Sequence, residues 1–392
     1  MDKAKIAEEY QEWKKTVPML YETVVTRTLA WPTLTCQWLP GQTIKDGASY
    51  QELMIGTNTS DQEPNALLFQ TVTLPQNNQS TVKASITPKQ SIGHENEVNR
   101  ARCQPNHPSI IATMTRDGDV LVFDRQLSLS AASTTNLESE PILRLKGHSG
   151  EGYGLQWNPH SVKENHLLSA GYDKVVCHWD IGQTPDGKEL RPYQTYVGHT
   201  DCVEDVSWST SNVSLFASVG DDRKLMIWDT RQPTKAVQCI QAHEAEINSV
   251  RFHPTRETML ATGSADKTIG LFDIRKLSDK LHSIEHSSAV GQVEWSPLDD
   301  PIIGSAAGRQ INIWDLRRIG EEQTAEDAED GPAELMFVHN GHTDIVTEFG
   351  WHPTEQWLIA SAAQDNNIQV WQMSKAICSN ADSTALVGVE FE

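Results

Sequence analysis

The chain has 392 residues and a formal net charge of −21. An acidic balance of that size argues against direct contact with DNA or RNA, whose phosphates need Lys and Arg, and favours a basic partner through long-range attraction. The apolar runs are too short for a membrane-spanning helix, and the opening MDKAKIAEEYQEWKK lacks the apolar core of a secretory signal.

Residues 1–30 are predicted to form an N-terminal helix. Ile6, Tyr10, Trp13, Val17, Leu20 and Val24 fall at helical spacing as one apolar stripe. Lys3, Lys5, Glu8, Glu9, Glu12, Lys14 and Lys15 fill the other faces. Pro18 implies one kinked helix, or two with Thr16 capping the second. Residues 34–92 contain LTCQWL, QELMIG and NALLFQTVTL, which read as strands of one degenerate sheet. The 34–39 segment is expected to pair with the last sheet and so hide both edges.

From residue 94 a ruler repeats six times. A histidine is followed nine positions later by an aromatic slot: His94–Cys103, His148–Trp157, His199–Trp208, His243–Phe252, His286–Trp295 and His342–Trp351. About thirty residues after each His come Phe123-Asp124, Trp179-Asp180, Trp228-Asp229, Phe272-Asp273, Trp314-Asp315 and Trp371-Gln372. The third unit reads as strands around Val203–Trp208, Leu215–Val219 and Leu225–Trp228, with a turn at Gly220-Asp221-Asp222. Such sheets cannot bury both faces alone, so the predicted fold is all-β: a WD-repeat β-propeller over 31–373, of seven blades, or six without the degenerate one. Residues 374–392 are a C-terminal tail. The wider His spacings imply extra loop residues after units one, two and five.

His148, Ser169, Asp173 and Trp179 resemble catalytic parts. The set recurs as His199, Ser218, Asp222, Trp228 and as His342, Ser361, Asp365, Trp371. A nucleophilic site needs one such set in a cleft; a set in blade after blade reads as buried hydrogen-bond networks. In the fifth unit Gly304 and Gly308 appear at the Ser and Asp slots and the turn is one residue short, which predicts a looser rim. Cys36, Cys103, Cys177, Cys202, Cys239 and Cys378 are too scattered for a zinc site and read as buried thiols. No metal spacing, phosphate loop or unrepeated nucleophile set is present, so neither catalysis nor a cofactor is expected.

Residues 319–338, IGEEQTAEDAEDGPAELMFV, break the ruler. They carry Glu321, Glu322, Glu326, Asp327, Glu329, Asp330 and Glu334, then run into Leu335-Met336-Phe337-Val338. This reads as an insertion in the last inter-blade connection. Acids beside an apolar stretch suit an amphipathic basic helix laid in a groove. A charge run alone is a solvated loop more often than not.

EEYQEWKKTVPMLYETVVTRTLAWPTLTCQWLP, NEVNRAR, EGYGLQWNP, DDRKLMIWDTR and IGEEQTAEDAEDGPAELMF resemble the histone-binding WD-repeat family, over about residues 8–373. That family includes the retinoblastoma-binding proteins four and seven, the small subunit of chromatin assembly factor one and the second subunit of type B histone acetyltransferase. The resemblance implies a nuclear, and also cytoplasmic, non-catalytic histone chaperone. It would serve acetyltransferase, assembly-factor, deacetylase or polycomb methyltransferase complexes. One implied site grips the first helix of histone four through Leu20, Asp327, Asp330, Phe337 and Val338. A second receives the basic tail of histone three on the propeller mouth through Glu97, Asn99, Glu151, Tyr153, Glu204, Asp221 and Asn248, with Asn366 beside them. There the sequence departs from the family. Ala30 stands for a Glu, Asn58 for a His, Ala289 and Gly291 for a Glu and an aromatic, and Gln364 for a Glu, so weakened tail binding is expected. An alternative reading is a substrate receptor of a cullin-type ubiquitin ligase, from Trp228-Asp229-Thr230-Arg231 and Trp314-Asp315-Leu316-Arg317. The bland account of that pattern is an Arg paired at the blade rim.

Overall fold

The structure is a computed structural model, and it describes residues 3–76, 82–130, 135–136, 140–183 and 187–378. Seven sheets each carry four antiparallel strands in a row, and two add a short parallel strand at the edge. The first strands of successive sheets touch in chain order, and the last returns to the first, so the ring closes into a seven-bladed propeller. Blade four shows the plan: Val203–Trp208 innermost, then Leu215–Gly220, Lys224–Asp229 and Gln238–Gln241. The degenerate blade one comprises Cys36–Lys45, Ala48–Gly56, Asn65–Pro75 and Ser85–His94. No described helix is long and apolar enough to cross a membrane.

Ring closure differs from the sequence expectation. Helix α1 (Lys3–Leu20) is one helix with Pro18 in its last turn. The chain then becomes strand β1 (Tyr21–Thr28), so 1–30 is not helical throughout. β1 pairs with Asn367–Met373 as the outer strand of blade seven, from Tyr21 opposite Met373 to Thr28 opposite Asn367. The segment around 34–39 instead opens blade one. β-branched Thr23, Val24, Val25 and Thr26 favour a strand once an open edge is available, and that overrides the helical spacing of Val24. Thr16 caps nothing: its hydroxyl donates to Trp13 O at 2.8 Å within the same helix. The polypeptide leaves the ring in a turn at 374–378, where Ser374 N donates to Leu20 O at 2.9 Å.

The repeated polar sets are networks between loop and strands. His148, His199 and His342 reach Ser169, Ser218 and Ser361 through Nε2 at 2.7, 2.7 and 2.8 Å. The same hydroxyls accept from the indoles of Trp179, Trp228 and Trp371. Asp173 and Asp222 meet the other ring nitrogen of His148 and His199 at 3.0 and 2.9 Å. Burial would lower His148, but Asp173 and Cys177 together outweigh it and hold the imidazole up at about 9.

Blade six corrects the sequence reading in part. Ser305, not Gly304, fills the Ser slot: it meets His286 Nε2 at 2.9 Å and accepts from Trp314 at 2.8 Å. Gly304 lies one residue off and leaves room for Phe349, 2.8 Å from where a Cβ would stand. The acid is lost as expected. Ala307 pairs with Gln310 across a two-residue hairpin whose first member, Gly308, has φ +60°, a backbone that glycine adopts without strain. The rim therefore loses one link and keeps two. No disulfide joins the described cysteines. Cys36, Cys103, Cys177 and Cys378 are buried, whereas Cys202 is half-buried and Cys239 exposed, contrary to a uniform burial.

Two buried ion clusters line the central channel. Glu348, 1% exposed, pairs with Arg100 and Arg102 and accepts from Cys36 N at 2.6 Å. Arg251 bridges Asp205 at 2.6 Å and Glu294 at 2.9 Å. Both clusters join inner strands of different blades, so they fix blade order as well as neutralise charge.

Candidate functional site

Two surfaces emerge, one on the flank beside α1 and one on the mouth. On the flank, Trp13 is the most buried residue of the helix and Tyr21 follows its end. Tyr21 Oη accepts from Trp13 Nε1 at 3.0 Å and donates to His339 Nδ1 at 3.0 Å. His339 Nε2 in turn donates to Gln369 Oε1 at 3.1 Å. Burial, then the neighbouring His342, hold His339 well below its ordinary value, so it is the neutral member that this chain of donors requires. The relay joins helix, β1, blade six and blade seven.

Leu335–His339 is the outer strand of blade six and pairs with Gln310–Asp315. The acidic insertion thus lies inside blade six, not between blades, because 335–339 returns to the same sheet. Residues 320–330 are all exposed. Asp327–Asp330 forms a 3-10 turn, fastened where Thr324 Oγ1 donates to Asp327 Oδ2 at 2.7 Å. Downstream, Phe337 is buried edge-on to Tyr21 (5.2 Å) and stacked over Trp371 (6.0 Å). Val17, Leu20 and Met336 are half-buried on that same core cluster. Met19 beside them is 70% exposed. The structure therefore brings Leu20 and Phe337 together, with Phe337 as floor rather than rim. Val338 is half-buried one residue further on. The acidic turn leads into the strand that carries Phe337 and Val338. Sequence reading missed the Trp13–Tyr21–His339 relay that sets this geometry; the unbroken run from helix stripe to Tyr21 was its only trace.

The mouth is lined by turns that precede the inner strands and turns that join second to third strands. Asn99 Nδ2 donates to Glu151 Oε1 at 2.9 Å, and Tyr153 Oη donates to the same oxygen at 3.0 Å. Glu204 is the second residue of the inner strand of blade four, and Asp221 is held by its N–H to Cys202 O at 3.0 Å. Burial, then Asp221 and Asp205, push Glu204 up to about 7. These five expected residues lie together. The other three serve other blades: Glu97 accepts from Ser60 N at 3.0 Å, Asn248 donates to Val290 O at 2.8 Å, and Asn366 approaches Ala30 O at 3.4 Å. Ala30, Ala289, Gly291 and Gln364 are exposed and Asn58 half-buried. A Cβ at Gly291 would meet only Ala306 O, at 3.9 Å, so the missing ring leaves open space.

Sequence reading also missed Tyr172, which sits 6.0 Å from Tyr153 between ring centroids at an interplanar angle of 50°. A signal was present. In each regular turn the residue before the Asp occupies the position that Asp221 holds in blade four: Tyr172 precedes Asp173, as Ala265 precedes Asp266. The residue after that Asp takes positive φ at Lys174, Arg223, Lys267 and Asn366, which fixes the alignment. At the rim, Arg231 closes on Asp229 (2.6 Å) and Arg317 on Asp315 (2.7 Å), two residues back in each case.

A family model for the histone-binding protein RBBP4, described also as a component of the CAF1 complex, matches residues 8–76, which hold α1, β1 and the start of blade one. The WD domain, G-beta repeat, matches residues 139–180, 190–229, 234–273 and 333–372.

Proposed function

The chain belongs to the histone-binding WD-repeat family and serves as a histone-binding scaffold, and from that premise we propose that it grips the first helix of histone four on the flank beside α1. The carrying observation is that Val17 and Leu20 of α1 share one apolar cluster with Met336 and Phe337, whose strand follows the acidic turn Asp327–Asp330 in the chain. Apolar anchors would supply affinity, and the acids orientation and encounter rate. A first-helix peptide of histone four is expected to bind the chain. Asp327→Lys/Asp330→Lys should weaken it about 3–30-fold at low salt, since each exposed pair contributes ~0.2–1 kcal/mol and reversal turns attraction into repulsion. The effect should shrink as salt rises. If titration calorimetry shows no binding by the unaltered chain, the reading is wrong.

The mouth is a second, weaker site for basic tails. Ala30, Ala289 and Gln364 stand where acids would complete it, and Gly291 offers no ring. Restoring an acid and the ring with Gly291→Phe plus Ala289→Glu should tighten a histone three tail peptide by roughly 3–30-fold, the equivalent of one cation–π contact of ~0.5–2 kcal/mol. Tight binding by the unaltered chain that the double change leaves untouched would count against this account. The chain is thereby a histone carrier for chromatin-assembling and chromatin-modifying complexes in the nucleus.

A further inference from the structure

Blade six lacks the acid that completes the polar network of other blades, yet it keeps the donors that the acid would satisfy. In blades three, four and five the turn aspartate meets the histidine Nδ1 at 3.0, 2.9 and 2.8 Å, and in blade seven at 3.5 Å. The same carboxylates accept the backbone N–H of the residue after the histidine, at Ser149, Thr200, Glu244 and Thr343. Blade two uses the Asn96 carbonyl for its His94 ring instead. In blade six the corresponding donors are the His286 ring and Ser287 N, and neither finds an acceptor for these N–H groups among the described residues. The ring is held in place: Nε2 lies 2.9 Å from Ser305 Oγ, and its edge meets Trp314 at 5.0 Å. Ser305 Oγ already accepts from Trp314 Nε1 at 2.8 Å, so its own hydrogen goes to His286 Nε2. The neutral ring therefore carries its hydrogen on Nδ1. Burial keeps it neutral, down at about 4. Two N–H donors thus occupy the positions that hold a carboxylate in four other blades.

The space beside them is open. Ser287, Ser288 and Gly308 form one wall of a cavity of about 1000 Å³ between α1 and the rims of blades six and seven. Ser288 Oγ stands 3.1 Å from where a Gly308 Cβ would be, so a hydroxyl lines the same place. Ile6 and Tyr10 of α1 and Ile345, 50% exposed, supply the apolar side. Lys3 and Arg309 also line the cavity, and Arg309 pairs with Glu9 at 2.8 Å. Of its two acids, Asp365 accepts from Thr343 N and Asp344 from Ile345 N, each at 2.8 Å. Two N–H donors and a hydroxyl favour an anion with paired acceptor oxygens, as aspartate shows in the other blades. We propose that blade six carries a carboxylate-binding slot, filled by an acidic side chain of a partner segment that lies between α1 and the rim. The carboxylate accepts from His286 Nδ1 and Ser287 N, while the residues flanking it cover Ile6, Tyr10 and Ile345. The slot uses none of the residues assigned to the flank or the mouth.

The test uses the full chain with isotope-labelled histidine, its His286 signals assigned by their loss in His286→Gln. Acetate, N-acetyl-aspartate N-methylamide and N-acetyl-asparagine N-methylamide are titrated in turn, with sodium chloride holding the ionic strength. Both carboxylates are expected to shift the His286 signals, and the asparagine amide and chloride are not. With the aspartyl probe bound, His286 should titrate at a pH about 1–3 higher, as an opposite charge beside a ring gives. Inserting an aspartate between Gly308 and Arg309 restores the acid of the turn and should abolish the response. If that variant does not fold, the contrast between the aspartyl and asparaginyl probes on the unaltered chain decides. Tighter binding of the aspartyl probe than of acetate assigns the slot to a peptide side chain; equal binding keeps the slot and assigns it to free small carboxylates. No shift with either carboxylate, an equal shift with the asparagine amide, or a response that survives the inserted aspartate would overturn the slot.

Discussion

Glu348→Ala is expected to lower unfolding stability by about 3–5 kcal/mol, the cost of breaking a buried ion cluster by removing one partner. Glu348 is 1% exposed and sits between Arg100 and Arg102, both of which would be left in the channel wall without a counter-charge. Cys36 N would also lose its acceptor. Glu348→Gln keeps an acceptor for Cys36 and should cost less than Glu348→Ala. Burial would raise the Glu348 carboxyl, but Arg102 and Arg100 bring it down to about 2 from 4.5. Its stabilisation is therefore complete above pH 4.5 and lost as pH falls towards 2. Denaturant melts across that window should show the slope in the unaltered chain and its loss in Glu348→Gln. A loss under about 1 kcal/mol in Glu348→Ala would mean that the two arginines find other partners or water.

Tyr21→Ala should cost about 3–5 kcal/mol as a large-to-small change in a packed core. The ring packs edge-on against Phe337, Trp13 and Trp371, and its hydroxyl links Trp13 Nε1 to His339 Nδ1. Tyr21→Phe isolates the second contribution. It leaves a buried donor and acceptor unpaired, for ~1–3 kcal/mol. Both changes should speed hydrogen exchange in α1 and β1 before the rest of the ring, because these two elements are held at this joint. Histone four helix peptide should bind Tyr21→Ala weakly, since Leu20 is positioned by the residue after it. Unchanged exchange in α1 would show that the helix is held elsewhere, for instance by Glu9 and Arg309 at 2.8 Å.

The His–aromatic ruler was legible in the sequence because each blade repeats one solution to the same problem. A buried Trp needs a hydroxyl, the hydroxyl needs a His, and the His needs an acid. That fixed spacing yields the propeller and six of its seven blades, and it reads these residues as structural networks. The acidic run and the stripe from Ile6 to Leu20 were legible for the same reason: local composition reports local chemistry.

Closure of the ring was not legible. Residues 21–28 become a strand only because blade seven offers an edge some 340 positions away, and no local pattern encodes that distance. The Ser slot of blade six was misplaced by one residue because a hairpin one residue shorter shifts the count after the turn, not before it. Tyr172 escaped notice although its place before Asp173 repeats from turn to turn, because the residue type at that place varies from blade to blade. The sequence by itself determined the repeat, its networks and the acidic insertion. Only the tertiary structure decided which residues meet across blades: Tyr21 with His339, Glu348 with Arg100 and Arg102, and Tyr153 with Tyr172. Those meetings depend on the closed ring, which joins residues through space without regard to their separation in the chain.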